Sequence, residues 1–241
     1  MEENILEFIE NNEAKERILH AAVELFSKKG FDGARVNEIA EAAKVNKALI
    51  YYYFKNKEDI LDYLVNMLLE NVTSIALDFI HGNIVEMIKS GLLDILPDRL
   101  HFANENSLKD FLQNARLCYE KILDFVLENR AILRILMLES LKNSKHHNAL
   151  FEFMSLNDTK TNLILKTISE ADSDFCFSED MTIFNFFFSI IPLVSFAAYY
   201  DDFRNINGLS EDKMKNSFLD SFEVVFSSLV SGNDILLKNE K

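Results

Sequence analysis

Three consecutive tyrosines, Tyr51, Tyr52 and Tyr53, follow Lys47 and Ala48 in a stretch, Val36 to Lys57, that reads as two short helices joined by a tight turn. Tyrosine hydroxyls and a lysine ammonium bond phosphate oxygens, ring edges pack on thymine methyls, and a lysine also reaches guanine. The chemistry on offer is the reading of a DNA major groove. An ordinary bundle helix could also carry YYYF as core or as a patch between copies, and helix-turn-helix spacing alone discriminates weakly.

The positioning elements are legible in the pattern around these residues. Val36, Ile39, Ala40 and Ala43 recur at helical spacing and leave Asn37, Glu38 and Glu41 outside. Lys44-Val45-Asn46 interrupts that stripe: Val45 is a plug between two helices, and Asn46 suits an N-cap whose side-chain oxygen accepts an orphan backbone N–H. A connection of about three residues is the helix-turn-helix proportion. In the second helix Leu49 or Ile50 with Tyr53 and Phe54 turn inward, which leaves Lys47, Ala48, Tyr51 and Tyr52 toward solvent.

The run from Gly30 to Leu61, GFDGARVNEIAEAAKVNKALIYYYFKNKEDIL, resembles the DNA-binding signature of the tetracycline-repressor (TetR) family of transcriptional regulators. Gly30, Phe31, Val36, Ile39, Ala40, Ala43, Val45, Tyr51, Tyr53, Phe54, Lys57 and Glu58 carry the match. The resemblance implies an all-α protein with a helix-turn-helix DNA-binding domain over residues 1–57 and an all-helical regulatory domain over 58–241. The first would hold helices at about 13–29 and 36–43 and a recognition helix at about 47–54. Lys47, Ala48, Tyr51 and Tyr52 would address bases, while Arg35, Asn37, Tyr53 and Lys57 hold phosphates or groove edges.

Three positions depart from the family pattern. Ala34-Arg35 stands where a threonine or serine usually caps the second helix, a loss of about 1 kcal/mol unless Asp32 or water substitutes. Lys44 replaces the turn glycine, at up to about 1 kcal/mol if the position is left-handed. Ala48 replaces a glycine, and its methyl could press on a thymine.

Six glycines, two prolines and 49% apolar residues in 241 fit an almost wholly helical chain with a substantial core. The net charge of −14 is unevenly spread: residues 13–57 carry nine Lys/Arg against six Asp/Glu, so the basic part is local to the presumed DNA face. The acidic start has no basic, apolar leader pattern, so a cytoplasmic protein is expected. Met181 to Tyr200 is uncharged over a bilayer's length, yet Asn185, Ser189, Pro192 and Ser195 interrupt it and aspartates flank it, so a buried helix is the better reading and no membrane partner is expected. Cys118 and Cys176 sit among apolar neighbours, as reduced core cysteines do.

Further along, apolar spacing predicts helices over about 57–80, with Gly82 as a stop, and over 84–96, ended by Pro97. A loop at His101 to Asn106 and helices over about 107–128, 131–141 and 148–171 follow. Two final helices, about 179–203 and 210–230, carry Phe184, Phe187, Ile191 and Phe196, then Phe218, Phe222, Val225 and Leu229. Pro192 should kink the first of them. The family resemblance implies that this pair meets its copy in a homodimer; the alternative is an intramolecular core.

The resemblance also implies a cavity for a small-molecule effector. His101, Phe111, Tyr119, Phe125, Met137, Phe151 and Met154 are its candidate lining, favouring an apolar or aromatic ligand. His146-His147 points in two directions on a helix with no third ligand in view, and the sequence has no nucleophile elbow, phosphate loop or HExxH array, so no metal, cofactor or catalysis is expected. The reading is a ligand-responsive homodimeric repressor on a palindromic double-stranded DNA operator. The rivals are a carrier of small molecules whose head no longer reads DNA, and a DNA-bound regulator answering to a protein partner.

Overall fold

The computed structural model describes residues 2–96, 99–142, 163–172 and 183–230, the side chains of 2–12, Leu96, Arg99 and Leu229 excepted. It divides into two compact units, Met1–Leu69 with Asn129–Ala149, and Glu70–Glu128 with Leu150–Lys241. The first unit therefore takes more of the chain than the head expected at 1–57: it keeps the start of the fourth helix and a helix from later in the sequence.

In the first unit, α1 (Glu2–Gly33) starts well before the expected residue 13, so the acidic leader continues the helix. It breaks where expected, at Gly30, whose φ of 74° is open to glycine at little cost. Short helices α2 (Val36–Ala42) and α3 (Lys47–Tyr53) follow, then the first turns of α4 (Lys57–Phe79), and α7 (Arg130–Ser140) packs along α1. Ile18, Ala22 and Phe26 of α1, Ile39 and Ala40 of α2 and Ile50 of α3 are buried together. Each large side chain so removed from water contributes roughly 1.5–3 kcal/mol, which is what holds two seven-residue helices too short to stand alone.

The second unit begins with the rest of α4. Gly82 does not stop that helix; the chain widens into a π-helical segment, Ile80–Val85, and continues as α5 (Glu86–Lys89). Gly91, at φ 69°, makes the stop. The helix expected up to Leu96 and the loop after it are instead an antiparallel hairpin, β1 (Leu93–Leu96) with β2 (Arg99–Phe102). Leu93 pairs with Phe102 and Ile95 with Leu100, so four apolar side chains share one face and pack with Met87 and Phe111.

Helix α6 (Glu105–Glu128) is capped by Asn104, whose Oδ1 accepts from the Ser107 N–H at 2.9 Å while Ser107 Oγ accepts from the Asn104 N–H at 3.2 Å. Of the helix expected over 148–171, the part within the described residues is α8 (Leu163–Ala171). Where the sequence predicts a kink at Pro192, the chain has a second π-helical segment, Asn185–Ile190, directly ahead of α9 (Ile191–Asn207). A proline cannot donate to the turn before it and crowds a carbonyl there; a widened turn relieves both. Gly208, left-handed at φ 63°, closes α9, and α10 (Glu211–Val230) finishes the unit.

Aromatic rings order the contact between these helices. Phe196, Phe218, Tyr119, Phe222, Phe226 and Phe111 form a continuous stacked column from α9 through α10 and α6. Arg116 of α6 pairs with Asp220 at 3.0 Å and with Glu223, and Lys215 of α10 pairs with Glu120 and Asp124 at 2.9 and 2.8 Å, closing the rim of the same contact.

Candidate nucleic-acid interface and cavity

The turn between α2 and α3 is built as its residue types dictate. Ala43 ends α2; Lys44 takes φ 55°, the left-handed value expected of a glycine there, and the Val45 N–H returns to the Ala40 carbonyl at 3.0 Å. Asn46 caps α3 through Oδ1 to the Leu49 N–H at 2.7 Å. The hydroxyl missing ahead of α2 is replaced in part by Glu38, whose Oε2 accepts from the Arg35 N–H at 3.2 Å and whose Oε1 pairs with Lys29 at 2.9 Å. Those two bonds hold its carboxyl below the usual carboxylate range.

On α3, Ile50 is 1% exposed and Phe54 beyond it is buried, while Tyr51 is 49% and Tyr52 72% exposed. Lys47 and Ala48 are exposed on the same face, with the Lys47 ammonium 5.7 Å from the Tyr51 ring centre. The four residues read as base-facing thus share one solvent-facing surface. Arg35 and Asn37 are exposed, and Tyr53 is half-buried, its hydroxyl pushed up by burial and by Tyr52.

Lys57 is a correction. Its ammonium donates to the Phe31 carbonyl at 2.6 Å and the Ala34 carbonyl at 3.1 Å, so it braces the segment between α1 and α2 from within the head instead of standing free for phosphate. A second tie escaped the sequence reading: Lys142, just beyond α7, pairs with buried Glu139 at 2.5 Å and with Asp32 at 3.5 Å.

The second unit contains a partly open cavity of about 440 Å³. α4, both π-helical segments, the hairpin, α6, α8, α9 and α10 all contribute to its wall. Of the candidate lining residues, Phe111 and Tyr119 are there. His101 is exposed on β2, Phe125 of α6 is not among the described lining residues, and Met137 lies on α7 in the other unit, so these three are corrections. Phe151 and Met154 lie outside the described residues. The wall also holds Asn185 and Ser189, noticed in the sequence only as interruptions of an uncharged run.

The face expected to meet a second copy is likewise redistributed. Phe184 is buried in the cavity wall, Phe196 and Phe218 belong to the stacked column, and Phe222 to both. Ile191 is half-buried, Phe187 and Val225 are exposed, and the side chain of Leu229 lies outside the described ones. Helical spacing had no way to tell the two faces apart, because both carry large apolar groups.

A three-helix head presenting an exposed tyrosine helix, on a chain otherwise almost wholly helical, defines a helix-turn-helix DNA-binding protein. Residues 18–64 match the model of bacterial regulatory proteins, tetR family. The chain is 30% identical over 139 residues to the HTH-type transcriptional regulator YttP of Bacillus subtilis, covering 55% of this chain and 67% of that one. It is 32% identical over 84 residues to IcaR of Staphylococcus aureus, the negative regulator of a biofilm operon, covering 31% of this chain but only 45% of IcaR. Among solved structures, a Clostridium perfringens protein described as a fatty acid metabolism regulator superposes with a TM-score of 0.55 at 19% identity, over 91% of this chain and 99% of that one. The fatty acid degradation regulator FadR of Bacillus halodurans gives 0.50 at 18%, over 91% and 97%. The chain belongs to the tetR family of bacterial regulatory proteins. It is a DNA-binding transcriptional regulator and not an enzyme.

Proposed function

We propose that this regulator is a cytoplasmic homodimeric repressor, released from a palindromic operator by a small apolar or aromatic effector. The observation that carries it is the exposed face of Lys47, Ala48, Tyr51 and Tyr52 on a helix anchored by buried Ile50. Aromatic side chains of that size are left in water at a cost of buried area forgone, which a groove would recover. Residues 1–57 are the DNA-binding module in this reading, with Arg35, Asn37 and Tyr53 at phosphates or groove edges.

One helix-turn-helix makes few contacts, and a two-fold pair would set two reading helices in successive major grooves, about 34 Å apart. The second copy is assigned to the outward faces of the second π-helical segment, α9 and α10, where Phe187, Phe188, Tyr199, Phe203, Ile206, Val224 and Val225 are exposed. An effector in the cavity would favour a body conformation whose two heads no longer match the half-site spacing, a population shift. A coupling of about 1–3 kcal/mol lowers operator affinity by about 5 to 150-fold.

The test is selection of genomic fragments with the purified chain, followed by titration of the selected duplex with Lys47→Ala and Tyr51→Ala. Each is expected to weaken binding at least tenfold with the dimer intact, about 1.4 kcal/mol. Undiminished affinity in both refutes the base-reading face.

A further inference from the structure

The cavity's lining residues among the described ones all belong to the second unit and include no Lys, Arg, His, Asp or Glu. Six are aromatic, Phe79, Phe111, Tyr119, Phe184, Phe222 and Phe226, and most of the others are aliphatic. Among the described lining residues, side-chain polarity enters at four positions: the Cys118 thiol, the Tyr119 hydroxyl, the Asn185 amide and the Ser189 hydroxyl.

The thiol is occupied, donating to the Ile75 carbonyl at 3.9 Å, and burial holds it protonated. The other three have no hydrogen-bond partner among the described residues. Tyr119 is only 9% exposed, its ring clamped in the stacked column. Its hydroxyl, unpaired but not sealed off, is free to donate to whatever enters the cavity that Tyr119 lines. Asn185 and Ser189 stand four residues apart on the π-helical segment ahead of Pro192, and i→i+5 bonding brings residues so spaced onto one face. π-helical turns recur at functional sites, and this one puts an amide and a hydroxyl into an otherwise apolar wall.

We infer that the cavity takes an electrically neutral ligand with a ring-bearing apolar body and a single hydrogen-bonding group, such as a carbonyl, read by Tyr119, Asn185 and Ser189. Against the described lining residues a carboxylate or phosphate would be desolvated with no cation to meet it, and an ammonium with no anion; either charge is far more expensive to bury than a carbonyl that finds a donor. The aromatic wall favours flat rings through offset and edge-on contacts. This inference rests on the reading of the cavity as the effector site, but it concerns occupancy and stands apart from release of DNA.

The experiment uses the full chain and a matched naphthalene series: 2-acetylnaphthalene, 2-naphthoate, 2-naphthylmethylammonium and naphthalene, with binding followed by calorimetry and native mass spectrometry. Expected is binding of 2-acetylnaphthalene with both ions weaker by about tenfold or more. The double variant Asn185→Leu, Ser189→Ala should erase the advantage of 2-acetylnaphthalene over naphthalene and leave naphthalene itself bound, an outcome that general loosening of the fold would not give. Should the double variant fail to fold, Ser189→Ala alone is read for the same narrowing. Equal or tighter binding of either ion, an unchanged advantage in the variant, or no binding of any of the four overturns the assignment. If 2-acetylnaphthalene binds as expected and the operator complex persists, the effector reading falls and the ligand class stands.

Discussion

Lys57 and Phe31, 26 residues apart, are joined twice: the ammonium donates to the Phe31 carbonyl at 2.6 Å and lies 4.3 Å from the centre of the Phe31 ring. Together with the bond to Ala34, this fixes the segment that delivers α2 and hence the angle at which α3 is presented.

From this follows a stability prediction at a position the family pattern would assign to DNA. A charged donor on two carbonyls contributes about 1.5–3 kcal/mol, so Lys57→Met should lower unfolding free energy by that order. The salt dependence of operator binding should keep its slope, since no phosphate contact is lost. Denaturant titration and binding at several salt concentrations separate the two. A slope reduced by about one, with stability unchanged, would return Lys57 to the phosphates.

Lys44 is the mirror case, a non-glycine residue at φ 55°. A side chain in the left-handed region costs roughly 1–2 kcal/mol, and glycine there gives back part of the gain as extra freedom of the unfolded chain. Lys44→Gly should therefore stabilise the head by about 0.5–1 kcal/mol, whereas Lys44→Ala should not. Thermal unfolding of the three proteins decides it.

Asn46 is the strongest local signal for where α3 begins. Its Oδ1 to the Leu49 N–H is the side-chain bond at that helix end, and Asn46→Ala should cost about 1 kcal/mol. Because Asn46 is exposed and touches no core group, Asn46→Asp or Asn46→Ser should restore the loss. A cap variant that is silent in denaturant titration would show that α3 is held by Ile50 alone.

These cases show what the sequence carries. The head was legible because capping, helical spacing and a glycine stop agree at Gly30, Asn46 and Ile50, each a local rule acting within a few residues. The hairpin was not: Leu93, Ile95, Leu100 and Phe102 alternate over only four residues a side, too short a run to outvote the helical pattern before it. Nor was the cavity. Asn185 and Ser189 stood out as polar breaks, but their partners in the wall, Phe79, Phe111 and Phe222, come from helices far apart in sequence, and no periodicity encodes which helix faces which.

Cys118 offers a probe of the cavity that is independent of DNA. Burial pushes its thiol up to about 11, so the unfolded thiol loses its proton first. Its contribution to stability is whole below about pH 9 and is lost as pH rises through about 11. In a Cys176→Ser background, alkylation by iodoacetamide at pH 8 should be slower in the folded chain than in urea by about a hundredfold, in proportion to the thiolate fraction. A saturating neutral ligand should slow it further, because Cys118 lines the wall that ligand covers. Equal rates folded and unfolded would place the thiol in water.

The two faces of the final helix pair, α10 and α9 with the π-helical segment ahead of it, make opposite predictions. Phe218 and Phe222 are built into the stacked column against Tyr119, so truncating either to alanine removes core contacts and should destabilise the chain by about 3–5 kcal/mol. Phe187 and Phe203 are more than half exposed, so their loss takes little from the packing of a single chain beyond the edge-on contact of Phe187 with Phe186. Changing both to aspartate, Phe187→Asp with Phe203→Asp, buries charge only if a second copy covers that face, and an unpaired charge there is costly. The expected outcome is a folded monomer that no longer holds a palindromic operator but retains weak binding to a half-site. Sedimentation velocity measures the first part and titration of whole and half operators the second. A double variant that remains dimeric with normal operator affinity would move the contact between copies to another surface, while a double variant that unfolds would put Phe187 and Phe203 in the core after all.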